Sequence, residues 1–288
     1  MQSSFLTAIF LPLALFIIML GMGLGLTLDD FKRVFIQPKA VIMGLIAQLV
    51  VLPMVGFLLA MIFPLSPELA VGVMILAACP GGPTSNMVTY LVRGNVALSI
   101  TLTAISSLIT VFTIPLVVNL AMQKFMGGGV ALQLPFVSAV IQISVITLIP
   151  VALGMLLQHY APKFAAKMEK LVKWLSLFFL GLIIAALLVK ERANVPSFFL
   201  QVGGVTLTLN LLTMALGYAI AILGKLDESS AKAITVEVGI QNGTLAIAVA
   251  TTLLNSPTMA IPAAIYALLM FATSGIFAGI IRNSQVRA

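Results

Sequence analysis

Long apolar runs alternate along this chain with short polar knots. A helix needs about 20 apolar residues to cross about 30 Å of hydrocarbon. Divided at charge clusters and Pro/Gly punctuation, the runs give nine candidate spans, roughly 5–28, 40–63, 68–92, 95–120, 133–158, 171–189, 198–224, 229–254 and 258–281. The charge-free tracts 94–123 and 193–224 are each too short for two spans and stay whole. The apolar tract from Val238 to Ile281 divides at Asn255–Pro257, a turn signal. The pattern predicts an all-α polytopic membrane protein with nine transmembrane helices, residues 1–288 forming one transmembrane unit.

Two spans are interrupted. "CPGGPTSN" (Cys79–Asn86) puts two prolines and two glycines inside an uncharged run, and "GIQNG" (Gly239–Gly243) puts two amides between glycines in another. Proline removes a backbone donor and glycine adds chain entropy, so neither stretch suits a continuous helix. Unwound backbone within a bilayer is tolerated only where it is buried or lines a cavity. The two breaks, near 80–86 and 238–243, fall in helices predicted to run in opposite directions. Each is flanked by one unbroken span before and one after, the pattern of an inverted repeat in a secondary transporter.

Composition agrees with a membrane protein: 61% of residues are hydrophobic and 8% charged, against about 25% charged in soluble domains. The net charge of +7 is explained by where the charges fall. With nine spans, Lys32, Arg33, Lys39, Arg93, Lys163, Lys167, Lys170, Lys173, Lys225, Lys232, Arg282 and Arg287 share one side. Only Lys124, Lys190 and Arg192 take the other. Basic loops stay cytoplasmic, so the N-terminus is expected outside and the C-terminus in the cytoplasm. No nucleic-acid partner is needed to account for the basic excess. The first residues carry no basic n-region or cleavage site, so no removable signal peptide is expected, and the inner (plasma) membrane is the expected location. The single Cys79 and single His159 exclude a disulfide framework and a Cys/His metal site. With no catalytic constellation either, the chain does not read as an enzyme.

Of the eight acidic residues, only Glu237 sits well inside an apolar tract. A charge at mid-bilayer costs about 2.5–3.5 kcal/mol on insertion scales, and no Lys or Arg lies in a span interior to offset it. Either Glu237 is protonated or its counter-charge is a bound cation. Oxygen donors cluster near the breaks: Ser85 and Asn86 at the restart of the third span, Ser99 and Thr103 one turn apart on the fourth, Gln48 deep in the second, and Gln241 and Asn242 in the second break. "GMGLG" (Gly21–Gly25) reads as close packing of the first span, and "DDFKR" after it as a loop.

The stretches "PGGPTSNMVTYLVRGNVALSITLTAISSL" (80–108), "EVGIQNGTLAIAVAT" (237–251) and "LDDFKRV" (28–34) resemble the signature regions of the bile acid:sodium symporter family. The resemblance covers nearly the whole chain. It implies a panel domain and a core domain whose two discontinuous helices cross. Residues 1–63 would give a panel helix and the first core helix, 64–123 core, 124–192 panel helices and 193–288 core. Many bacterial members have ten spans, and this chain matches the last nine.

The family pattern groups the donors into two sodium sites. The first would use Ser85, Asn86, Ser99, Thr103 and Glu237. The second would use Gln48, Glu237, Gln241 and the carbonyls of Val238 and Ile240. No metal other than Na+ is expected, with two coupling ions. Substrate contacts would fall on Pro83, Thr84 and Asn242, although Pro83 stands where bacterial relatives often have Thr and brings neither N–H nor hydroxyl. The implied function is sodium-coupled import of a small organic anion (bile-acid-like, pantoate-like or a 2-oxo acid) by alternating access. The partners are that anion and the lipid bilayer, with no obligate protein partner. The alternative is a proton-coupled organic-acid transporter or cation/proton exchanger with Glu237 as proton carrier.

Overall fold

The protein's structure, a computed structural model, describes residues 11–127, 134–190 and 195–286; among these there are helices and connections but no strand. The opening of the first candidate span, the start of the fifth at residue 133, and Glu191, Arg192 and Arg287 lie outside the described residues. The helices are α1 (Leu11–Leu24), α2 (Leu28–Ile36), α3 (Pro38–Ile46), α4 (Leu52–Ile62), α5 (Pro67–Ala78), α6 (Pro83–Leu91), α7 (Val96–Phe125), α8 (Phe136–Tyr160), α9 (Pro162–Lys190), α10 (Val195–Leu223), α11 (Glu228–Gly239), α12 (Gly243–Ala248) and α13 (Pro257–Val286). A π-helical turn, Ala47–Val51, joins α3 to α4, and a second, Val249–Leu253, extends α12.

Six helical stretches among the described residues are long and apolar enough to cross a membrane, and a seventh results if α1 and α2, bent by 60°, count as one span. The expected loop at "DDFKR" is instead the helix α2. Thr27 and Asp30 close a capping box at its start, the Thr27 N–H and hydroxyl each donating to Asp30 Oδ2 at 2.8 Å. Its charged and apolar residues separate onto two faces, so a nine-residue helix is stable where short-range polarity suggested a loop.

Local chemistry sets the helix ends. Asn95 and Asp227 cap α7 and α11 by accepting from Leu98 N–H (3.0 Å) and Ser230 N–H (3.1 Å). Arg93, Lys225 and Asn255 have φ near +50°. After α6 and α10 this left-handed residue closes a Schellman motif, with Gly94 N–H reaching Thr89 O (2.8 Å) and Leu226 N–H reaching Ala221 O (3.0 Å). The Ser230 hydroxyl also donates to Asp227 Oδ2 at 3.1 Å. This bond, with the Ser230 amide, holds the Asp227 carboxyl below the usual aspartate range.

A depressed carboxyl contributes stability that is full above the unfolded aspartate value, about 3.9, and lost as pH falls through the folded one. Asp227→Ala should therefore cost about 1 kcal/mol at neutral pH. The gap in melting temperature from wild type should narrow when both are melted in acid; a gap that is the same at both pH values would count against the cap.

The helices pack as two groups. In one, α1 lies against α8 and α9. A Cβ at Gly23 would overlap the Val151 backbone, and one at Gly154 the backbone of Leu20, Gly23 and Leu24. Without side chains at these positions the two helices meet backbone to backbone. The other group holds α3–α7 and α10–α13, with α5 against α4, α7 and α13, and α11 against α10. The stretch Glu228–Leu253 is buried along its whole apolar window, whereas the other five long stretches bury half or less. Lys232, expected at the cytoplasmic end of the eighth span, lies one turn inside α11. It is 4% exposed and paired with Glu228 Oε1 at 2.7 Å.

Candidate functional site

The two interruptions meet. Asn242 N–H donates to Pro80 O at 2.9 Å, joining the break between α5 and α6 to the break between α11 and α12. Glu237, on the last turns of α11, is fully buried beside this junction. Its Oε1 accepts from Thr103 Oγ1 at 2.6 Å; its Oε2 accepts from Ser85 Oγ at 2.7 Å and Ser99 Oγ at 3.0 Å. Ser99 and Thr103 are one turn apart on α7 and Ser85 is on the first turn of α6, so three helices converge on one carboxylate.

The proton count here is short. The Ser85 hydroxyl lies 2.7 Å from Gly82 O as well as from Glu237; that of Ser99 lies 2.8 Å from Asn86 Oδ1; that of Thr103 lies 3.4 Å from the same oxygen. Three hydroxyl protons thus face twice as many acceptor contacts. No basic side chain is bonded to Glu237 among the described residues. Gly81 completes the enclosure: its backbone conformation suits any residue, but a Cβ there would overlap Glu237 Oε1 and Cδ.

The other predicted donors gather nearby. Gln48, on the wide turn between α3 and α4, donates from Nε2 to Gln241 Oε1 (2.7 Å) and Cys79 O (3.0 Å). Gln241 Nε2 donates to Val238 O at 2.8 Å. Gln48 Oε1 is buried with no partner. The Ile240 N–H still bonds back to Val236 O (2.9 Å), so α11 unwinds only beyond it.

A cavity of about 280 Å³ lies between the two helix groups. Its walls include Gly82, Pro83, Thr84, Asn86 and Tyr90 from the start and length of α6, Gln241–Thr244 at the second break, Met22 from α1 and Gly25 just after it, and Glu169 and Ser176 from α9. Pro83 opens α6 and brings no N–H, and the Ser85 N–H is taken by Gly82 O at 2.9 Å. Asn242 caps α12 by accepting from Leu245 N–H at 3.0 Å, while its Nδ2 is buried without a partner. All three residues expected to touch substrate line this one cavity. Glu169, read from sequence as a loop residue, lines it as well.

Sequence reasoning missed Asn210, Thr213 and Tyr266, of which Asn210 and Tyr266 reach the Gly239 carbonyl at the second break; all three are fully buried. Asn210 is a lone amide in the middle of the apolar tract 198–224. It stands out there for the same reason as Gln48 does in its own span.

The profile of the Sodium Bile acid symporter family matches residues 12–198. The uncharacterized sodium-dependent transporter YocS of Bacillus subtilis is 36% identical over 257 residues, covering 89% of this chain and 78% of that protein. The probable chloroplastic sodium/metabolite cotransporter BASS1 of Oryza sativa is 33% identical over 265 residues, covering 92% of this chain and 64% of its own length. The hepatic sodium/bile acid cotransporter of Rattus norvegicus is 30% identical over 251 residues, covering 86% of this chain and 67% of that protein. These relatives are named as transporters and cotransporters, and none as an enzyme. With no strand among its described residues, several helices long and apolar enough to cross a membrane, two touching helix breaks and this similarity along most of its length, the chain belongs to the sodium bile acid symporter family.

Proposed function

We propose that the chain is a two-sodium symporter that imports a small organic anion across the inner membrane by alternating access. The observation that carries this reading is the fully buried Glu237, ringed by oxygens with too few protons and bonded to no basic side chain among the described residues. A monovalent cation supplies the missing charge and accepts the surplus lone pairs at once. Ser85, Asn86, Ser99, Thr103 and Glu237 hold the first ion. The second takes Gln48, Gln241, Glu237 and the Val238 and Ile240 carbonyls, with the amides of Gln48 and Gln241 turning their oxygens to it. The unpartnered Gln48 Oε1 favours that turn.

The substrate's carboxylate meets the unpartnered Asn242 Nδ2 and the Thr84 amide, where the positive end of the α6 dipole favours an anion. Pro83 shapes the wall and donates nothing. In this reading the nine spans divide into a panel of α1, α8 and α9 and a core of the remainder, with the N-terminus outside. The cavity follows α6 from Pro83 towards Tyr90, the end that leads to Arg93. It therefore lies on the cytoplasmic side, as in an inward-facing state.

Two sodium ions with one monoanion carry a net charge of +1, which gains about 2.3 kcal/mol per 100 mV of inside-negative potential. In proteoliposomes, an inward sodium gradient should drive accumulation of a labelled monocarboxylate, and an imposed inside-negative potential should raise it. Accumulation driven by a proton gradient with sodium absent would overturn this reading in favour of proton coupling.

A further inference from the structure

The carbonyl of Gly239 lies at the point where α11 unwinds. A continuing helix would give it the Gly243 N–H, but that N–H closes on Gln241 O instead, at 2.9 Å. Inside a bilayer such a carbonyl needs another donor. Two arrive from different helices: Asn210 Nδ2 of α10 at 2.6 Å and the Tyr266 hydroxyl of α13 at 2.9 Å. Asn210 Nδ2 also donates to the Tyr266 oxygen at 3.1 Å, closing a triangle of three fully buried groups. One turn along α10, the Thr213 hydroxyl stands 3.4 Å from the Val238 carbonyl.

Both lone pairs of Gly239 O are therefore occupied, which withdraws that oxygen from the unwound segment's free carbonyls. A peptide plane held at Gly239 also limits how its two neighbours turn, and those neighbours carry the Val238 and Ile240 carbonyls. Packing reinforces the hold: a Cβ at Gly239 would overlap Met214 of α10, so the break lies directly against that helix.

We infer that Asn210 and Tyr266, with Thr213 beside them, are positioning residues for the second sodium site, fixing the Gly239 carbonyl so that the Val238 and Ile240 carbonyls point at the ion. The inference rests on the sodium reading above. It assigns α10 and α13 a part in ion affinity although neither supplies a ligand.

The test is a sodium titration of thermal stability, at constant ionic strength with KCl, for the full chain and for Tyr266→Phe. The variant keeps the ring and removes one donor. The sodium concentration giving half of the stabilisation should rise by about tenfold or more, as for other residues that orient metal ligands, while the melting temperature in KCl alone moves little. A purely structural role would lower the NaCl and KCl curves together and leave the midpoint unchanged, overturning the inference while the sodium reading stands. A wild-type protein with no sodium-specific stabilisation would overturn both. Should Tyr266→Phe not fold, Thr213→Val carries the same comparison, because it removes the hydroxyl nearest the Val238 carbonyl and keeps the side chain's shape.

Discussion

Glu237→Gln should sharply weaken the sodium response while leaving the protein at least as stable in potassium. An ion present at 100 times its dissociation constant stabilises the folded state by about 2.7 kcal/mol, so wild type should melt measurably higher in NaCl than in KCl of equal ionic strength. The variant keeps the shape of Glu237 but removes the charge that both proposed sites share. It also supplies an amide donor to a cluster short of protons, where Asn86, Gly82 and the carboxylate compete for three hydroxyls. In KCl the variant should therefore match or exceed wild type. Losing a charged ligand costs about 1.5–3 kcal/mol, which lowers sodium affinity roughly tenfold to a hundredfold or more. Melting curves decide it. A sodium rise in Glu237→Gln with the same size and midpoint as in wild type would place the ion elsewhere.

Gly81→Ala should do similar damage without touching a ligand. The backbone at Gly81 accepts any residue, so the effect is one of space: the new Cβ overlaps Glu237 Oε1 and Cδ. Overpacking of this kind costs about 1–3 kcal/mol. The carboxylate relieves it by leaving the hydroxyls of Ser85, Ser99 and Thr103. Gly82→Ala is the matched comparison, since a Cβ there meets Asn242 at 3.8 Å, an ordinary contact. Titrating sodium against melting temperature, we expect the Gly81 variant to need far more sodium and the Gly82 variant to track wild type. Equal behaviour of the two would mean that the enclosure around Glu237 is not tight enough to matter.

The parts of the site legible in the sequence were those where a polar residue interrupts an apolar run. Glu237, Gln48 and the pair Ser99/Thr103 stand out because the bilayer makes each of them costly unless it has a use, and the structure gathers all four. The breaks were legible for the same reason, since proline and glycine disrupt the helix that a spanning segment otherwise requires. What stayed hidden depends on partners distant in the chain. Gln48 meets Gln241 across 193 positions and Asn210 meets Tyr266 across 56, and no local pattern encodes either meeting. The wide turn Ala47–Val51 that presents Gln48 has a sequence much like the apolar helices around it. Nothing in the sequence distinguishes Gly81 from Gly82, because what sets Gly81 apart is the Glu237 carboxylate beside it. Lys232 was counted with the cytoplasmic basic residues at the end of the eighth span, yet its pairing with Glu228 lets it lie inside.

The complete burial of the apolar window within Glu228–Leu253 bears on how the chain is made. This stretch is the least apolar of the six membrane-length helical stretches, with a mean hydropathy of 1.4, and it carries Lys232, Glu237, Gln241 and Asn242. Each such group opposes partitioning from the translocon into lipid. Its contacts with α10, laid down just before it, and with α13, which follows, replace the lipid it would otherwise face. The segment at the centre of the proposed ion sites is thus one that does not settle in the bilayer alone, and its insertion is completed only when the helices synthesised on either side close around it.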